Sequence, residues 1–319
     1  MIKHYNSYRF AVLLVFAFLF SSVQGVLAQD DEIKVNTEVV NVSVSVFDRK
    51  GNAVVGLTRE DFELLDNGKK TPIEFFSSVD APVSYGIVYD LHPSTTEQTK
   101  SVLRSLDAFT KSLGKNEDFF LTVFNEYGSL NINFVPNEEQ IRRHLSYGER
   151  NEPNSLYDAV FFAGEKLKSR NNQKRTLIII SDGKDHQSHH SLSELERLVE
   201  SFSVQIYAVI LDTRDKWNYD ELSMENGRRL PIDESELDKA AIKALSASSG
   251  GSASSSPAKN TIDLYKIFDR ISVDTRQRYS IGFYPSEGES HKLKINLRSR
   301  KKKGTKLHYR KDFKIAPKP

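Results

Sequence analysis

Apolar and polar residues alternate strictly near the start of the chain. In "EVVNVSVSVFD", Val40, Val42, Val44 and Val46 are separated by Asn41, Ser43 and Ser45. A period of two sets every second side chain on one face, so the stretch predicts a half-buried β-strand. "DRKGN" reads as a turn. In "LTREDF", Thr58 with Asp61 three residues on is a capping pattern for one short helical turn. "FELLDNGKKTPIEFFS" reads as a hairpin with Asn67-Gly68 at its tip, a pair that accepts the backbone a tight hairpin demands. Residues 33–80 therefore look all-β, yet they are too few for an independent core.

From residue 83 the pattern changes. "VSYGIVYD" is continuously apolar up to its last residue, as expected of a strand buried on both faces. A helix is predicted from about Thr95, with Val102, Leu103, Leu106, Phe109 and Leu113 on one stripe. "DFFLTVFNEYG" and "LNINFVP" follow as strands, antiparallel to each other because their connection is so short. "NEEQIRRHL" predicts a short helix. "NSLYDAVFFAGEKLKSR" predicts a longer one, with Phe161 and Phe162 read as core beside Phe268 further on. "RTLIIISDG" is a buried strand, "LSELERLVESF" a helix and "VQIYAVIL" a strand. Residues 212–233 are polar, and Trp217 within them is a candidate partner anchor. "ESELDKAAIKALSASSGG" predicts a helix closed by Gly250-Gly251. "SASSSPAKN" reads as a loop or weak strand, and "TIDLYKIFDRISVD" as the last helix. Strands alternating with helices imply an α/β fold, with a doubly wound, mostly parallel sheet covered by helices on both faces. "YSIGFYPS", "HKLKINLRS" and "KLHYRKDFKI" return to β. The two flanking β segments are expected to pack together as a small β subdomain, or onto the sheet edge, leaving the α/β region as an insertion. The expected division is 1–28, 29–81, 82–277 and 278–319.

Composition adds a compartment. "FAVLLVFAFLF" from Phe10 to Phe20, preceded by Lys3 and Arg9 and followed by small residues up to Ala28, has the layout of an export signal. It is short for a membrane span, which needs about 20 residues, so the mature chain is expected to begin near Gln29 in a periplasmic or secreted setting. Mean hydropathy of −0.48 fits no membrane-embedded body. The 319 residues include no cysteine, so neither a disulfide framework nor a lipid-bearing cysteine is available, and the core must stabilise the fold unaided.

Charge is uneven. The chain totals +2, while residues 291–319 hold twelve Lys/Arg against one Asp. Basic segments of this kind bind nucleic acid or anionic membrane in other settings. Here the basic residues alternate with apolar ones, so they read as the charged face of a half-solvated strand. Contact with a polyanion or acidic surface is the alternative. Neither nucleic acid nor a membrane is expected as partner. "RKKK" at 300–303 with Gly304 reads as a hairpin turn.

Two predicted strands end in carboxylates: "GIVYD" in Asp90 and "IIISD" in Asp182. In a doubly wound sheet, ligands bind beyond the carboxyl ends of the strands where strand order reverses. If these strands are neighbours there, both carboxylates overhang one crevice, a setting for a hard cation such as Mg²⁺, Mn²⁺ or Ca²⁺.

These residues and the order of elements resemble the von Willebrand factor A family. "NSLYDAV", "IIISDGKD", "YSIGFYPS" and "VFDRKGNAVVGLTREDFELLDNGK" are similar to a secreted bacterial subfamily of acidobacterial type. The resemblance implies a metal-ion-dependent adhesion site, in which a cation with an open position is completed by an acidic residue of a protein partner. The family motif is altered here. Asp90, Ser94 and Asp182 match it. His92 stands where the family has a Ser, and Asn154 where it has a Thr, with Ser155 beside it. An Asn carbonyl is an acceptable hard ligand, whereas a His favours softer ions such as Zn²⁺. With His186, His189 and His190 near the same loops, a transition-metal variant and a metal-free site are both alternatives. Pro93, Thr95, Ser155, Lys184, Asp185 and His186 would form the rim that a partner meets.

An enzyme reading finds little support. A strand-terminal Asp is the nucleophile of haloacid-dehalogenase-like phosphatases, but the second Asp they need is His92 here. No G-x-S-x-G, phosphate loop or H-E-x-x-H is present. The sequence favours a binding or adhesion protein, with a metal-independent scaffold in an envelope complex as the alternative.

Overall fold

The computed structural model describes residues 39–91, 96–125, 127–147, 155–185, 188–202, 204–212, 224–225, 228–229, 234–257, 260–286, 288, 290–298 and 304–314. The expected signal (1–28) and Trp217 lie outside these residues. No helix among the described residues is long and apolar enough to cross a membrane.

The N-terminal β pattern folds as its period requires. β1 (Val40–Phe47) buries its valines. A short 3-10 turn (Arg59–Asp61) carries the expected capping box from Thr58. β2 (Phe62–Asp66) and β3 (Lys69–Thr71) form the predicted hairpin. Asn67 (φ 48°) and Gly68 (φ 81°) supply the left-handed turn. β4 (Phe75–Ser77) then crosses to the sheet of β1.

The inserted region begins with β5 (Val83–Asp90), buried at every position. It continues through α1 (Thr96–Lys111), β6 (Asp118–Asn125), β7 (Gly128–Ile132), α2 (Glu138–Tyr147), α3 (Leu156–Lys168), β8 (Lys174–Ser181), α4 (Leu192–Phe202) and β9 (Gln205–Asp212). A small hairpin, β10 (Met224–Glu225) with β11 (Arg228–Arg229), precedes α5 (Glu234–Ser248), β12 (Ser252–Pro257) and α6 (Thr261–Arg276). The strands form one six-stranded sheet of order β12-β9-β8-β5-β6-β7. All neighbours pair in parallel except β7, which is antiparallel to β6. Leu106, Phe109, Ile141, Leu264 and Phe268 of α1, α2 and α6 pack on one face. Leu156, Val160, Leu195, Val199, Ile242 and Leu245 of α3, α4 and α5 pack on the other. The layer is doubly wound, as the alternation of elements predicts.

The chain returns to β with β13 (Tyr279–Phe283), β14 (Ser290–Leu297), β15 (Lys306–His308) and β16 (Asp312–Lys314). β13 lies between β1 and β4, and β14 lies between β2 and β16. The two antiparallel sheets, β15-β1-β13-β4 and β16-β14-β2-β3, share one core that includes Val42, Val44, Phe62, Leu64, Tyr279, Ile281, Leu293 and Ile295. Each sheet takes two strands from the first flanking segment and two from the second. Together they form a sandwich.

Two details depart from the sequence reading. "KLHYRKDFKI" is two strands: β15 joins β1, and β16 joins β14. Phe162 is 37% exposed, so it is not core. The expected hairpin turn at 300–303 lies outside the described residues. Of the two readings of "SASSSPAKN", the strand holds for Ser252–Pro257, an edge strand paired with β9.

A polar knot lies where the chain enters and leaves the α/β layer. Lys174, at the start of β8, is buried; its Nζ donates to Val79 O at 2.8 Å and to Arg276 O at 3.3 Å. Arg276 in turn pairs with Glu117 at 2.6 Å and donates to Ser112 O at 3.2 Å. Both crossing segments are thus tied to the same end of the sheet.

Candidate functional site

Strand order reverses between β5 and β8. The chain leaves β5 through α1 on one face, and leaves β8 through α4 on the other. The carboxyl ends of these neighbours open a crevice of the kind in which doubly wound sheets bind ligands. Asp90 is the last residue of β5, and Asp182 follows the last residue of β8. They are 1% and 5% exposed. Ser181, opposite Asp90 across the strand pair, donates from Oγ to Asp90 Oδ2 at 2.8 Å and accepts from the Gly183 N–H at 2.9 Å. The Lys184 N–H donates to Asp182 Oδ1 at 3.1 Å. Burial raises the Asp182 carboxyl above its ordinary value; the Lys184 N–H opposes this, Asp90 adds to it, and the Lys184 and Lys239 ammonium groups oppose it. Burial and a like charge together favour a neutral or cation-bound carboxyl.

Gly183 makes the turn after Asp182. Its φ of +88° lies in the left-handed region, and a Cβ there would sit 2.5 Å from Lys239 Cγ and 3.3 Å from Lys239 Cα. Glycine lets the loop take this backbone and lie against α5.

The loop beyond it docks on the first turn of α3. Ser155 is the N-cap, buried and extended. Asp185 Oδ1 accepts from the Tyr157 N–H at 3.1 Å and from Ser188 Oγ at 2.6 Å. Ser188 Oγ accepts from the Tyr157 and Asp158 N–H groups at 3.1 and 3.2 Å. Asp158 holds the far end. It accepts from the backbone N–H and Nδ1 of both His189 and His190 at 2.8–3.1 Å, and from Ser155 Oγ at 3.2 Å. Burial alone would raise the Asp158 carboxyl. Donation from the His190 N–H, the His189 ring and N–H, and the His190 ring outweighs it and holds the carboxyl well below the usual range. His190 stacks on Phe161 at 3.9 Å. Asp238 of α5 accepts from Tyr157 Oη at 3.3 Å and from the Asp185 N–H at 3.3 Å.

Among the expected site residues, Asp90 and Asp182 come to one crevice, with Ser155 and Lys184 beside the loops that flank it. Asp185 belongs to the docking network, where its carboxylate is engaged within the chain. His92, Pro93, Ser94, Thr95, Asn154 and His186 lie outside the described residues. Among those described, no group of three His, Cys, Asp or Glu is placed to hold a metal. His189 and His190 turn Nδ1 to Asp158. Ser181, Asp158, Ser188 and Asp238 were not singled out as site residues by the sequence. Ser181 looked like interior strand, and the others act across long sequence separations. The one local signal was Asp158 in the first turn of a helix, where carboxylates favour backbone N–H groups.

No family model matches the chain, and no curated protein matches it. Solved structures do. BatB from Bacteroides thetaiotaomicron, a conserved hypothetical protein, is 14% identical over 60% of this chain and 97% of its own, with a TM-score of 0.39. A von Willebrand factor type A protein from Catenulispora acidiphila is 10% identical over 88% of this chain and 74% of its own, with a TM-score of 0.40. Proximal thread matrix protein 1 from the mussel byssus, solved with a zinc-occupied metal-ion-dependent adhesion site, is 13% identical; the match spans 61% of this chain and about half (48%) of that one, with a TM-score of 0.40. The architecture itself is read from the sheet: the inserted layer is a doubly wound α/β layer, with its reversal at β5/β8 and its antiparallel β7.

Proposed function

We propose that this chain is a secreted or periplasmic protein-binding module that engages an acidic residue of its partner through a divalent cation above β5 and β8. One observation carries the reading: two buried carboxylates, Asp90 and Asp182, end neighbouring strands at the reversal point. Their donor set fits a hard cation, which would offset the burial and the like charge that raise Asp182. Asp90, Ser94, Asn154 and Asp182 would hold the ion, with His92 standing between Asp90 and Ser94 where the resembled motif has a Ser. Mg²⁺, Mn²⁺ or Ca²⁺ suits these oxygens, and Zn²⁺ would draw on His92. The bound ion would supply an open coordination position and no bond-breaking chemistry, so no enzymatic activity is assigned. The chain's own part is to hold the carboxylates still. Ser181 fixes Asp90, the Lys184 N–H fixes Asp182, and the Asp158–Ser188 network anchors the loop that carries Asp182. The rim would be formed by Pro93, Thr95, Lys184 and His186; Ser155, expected there, is buried with its Oγ on Asp158 and does not belong to it.

Calorimetric titration with Mg²⁺, Mn²⁺, Ca²⁺ and Zn²⁺ tests this beside Asp182→Ala. Binding of one ion by the wild type and none by the variant is expected. Silence with all four ions would reject the cation and leave the metal-independent scaffold.

A further inference from the structure

The outward face of the sheet β16-β14-β2-β3 is cationic. β14 alternates between exposed and buried positions, with Lys292 and Lys294 outward and Leu293 and Ile295 in the core. Register brings Lys70 and Lys294 to either side of Leu65, and sets Lys292 opposite Asp312 and Ser290 opposite Lys314. Arg298 continues the exposed row of β14. Among the described residues, five cations thus share the face with two carboxylates, Glu63 and Asp312. Of these carboxylates, Glu63 is already paired with Lys70 at 3.3 Å. Lys292, Lys294 and Lys314 make no ion pair among the described residues. At one end of the row lies a cavity of about 480 Å³, lined by Arg59, Arg298, Lys70, Glu60, Glu63 and Ile73 among others.

We infer that this face and its cavity bind an acidic polysaccharide, a linear glycan carrying carboxylate or sulfate groups. Alternate residues of a strand are about 7 Å apart, so Lys292, Lys294 and Arg298 form a line about 20 Å long, suited to a polymer with repeating charge. The two guanidinium groups in the cavity lining match carboxylate and sulfate as planar forks. Glu60 and Glu63 in the same lining can accept from sugar hydroxyls, donors that a polyphosphate chain lacks. The cavity volume falls within the range of small-ligand pockets, about 300–1,000 Å³, which suits a sugar unit and not a flat bilayer. Among the described residues, no aromatic side chain points outward from the face, so it offers no platform for stacked bases. The site is separate from the crevice at Asp90 and Asp182, and does not depend on a cation there.

Affinity of the full chain for polygalacturonate and heparin oligosaccharides of defined length, measured against salt, tests the inference. Inorganic polyphosphate, duplex DNA and phosphatidylglycerol vesicles serve as comparators. The glycans are expected to bind most tightly. Lys292→Glu with Lys294→Glu should weaken them at least tenfold and reduce the salt slope by about 2, roughly one per lost contact. Arg59→Ala with Arg298→Ala should erase the preference for glycan over polyphosphate. Lys115→Glu, on the α/β layer, should change nothing. An unchanged affinity in the β14 variant, an equal loss in Lys115→Glu, or tighter binding of DNA, polyphosphate or vesicles would overturn the inference. All the altered side chains are exposed, and circular dichroism of each variant checks that the fold is intact.

Discussion

Lys174 is a charge buried where the chain crosses between the sandwich and the α/β layer, and its cost is open to measurement. Burial lowers its ammonium group from the usual 10.5 to about 8, against the pull of Asp80 and Glu117. The unfolded chain therefore binds more protons than the folded one between those values, and stability should rise with pH across that window. Below pH 8 both states are protonated, and the full penalty of burying the charge is present. Moving from pH 7 to 9.5 should relieve ~2 kcal/mol, since each pH step of one between the two values is worth about 1.4 kcal/mol. Lys174→Met removes the charge but leaves the Val79 and Arg276 carbonyls without this donor, at about 1–3 kcal/mol for each buried group. The variant should lie within about 2 kcal/mol of the wild type at pH 7, because the two effects oppose each other, and should fall behind it as pH rises. Urea unfolding of both proteins at pH 7.0, 8.5 and 9.5 measures the difference and cancels titrations they share. Parallel stability curves across that range would refute a buried, destabilised ammonium.

Three further outcomes are expected. Gly183→Ala should cost about 1–3 kcal/mol from backbone strain at a position that favours glycine, and should abolish cation binding by shifting Asp182; thermal unfolding and calorimetry read the two effects separately. Ser181→Ala leaves Asp90 without that donor and should destabilise by about 1–3 kcal/mol, seen as a lower urea midpoint. Asp158→Asn should loosen the loop at 188–190 at a cost of about 2 kcal/mol. The Asp158 carboxyl is held below its ordinary value, so its contribution is complete above about pH 4 and is lost as pH falls further; the variant's acid unfolding curve should lack that component.

Much of the architecture was legible because burial imposes a period. The valines of β1, the unbroken apolar run of β5 and the stripes of α1 and α6 each match one layer of the fold. The shortness of each flanking β segment required a partner, and each of the two sheets takes strands from both segments. Asp90 and Asp182 were visible as polar ends of apolar runs. β12 was harder to read, since serines carry no apolar rhythm. Its strand state comes from pairing with β9 and from Gly251, where a Cβ would fall 1.9 Å from Ile206 O. The split of "KLHYRKDFKI" was illegible because period two assigns a face and not a sheet. The network joining Asp158, Ser188 and Asp238 was hidden for a different reason. Its members are far apart in sequence, and each is an ordinary polar residue until the loop closes.

The pairing of β1 and β4 with β13 sets a timetable for folding. β1 is made before the strands it pairs with, and its valines have no sheet to join until residues 279–314 exist. The inserted layer, with mostly shorter-range contacts, can close in the meantime, because local contacts form before distant ones. The sandwich is then the last part to form, and it seals the beginning of the chain with its end. A chain stopped after α6 would keep a folded α/β layer while exposing the apolar sides of β1 and β2, and so would aggregate through strands that the complete protein covers.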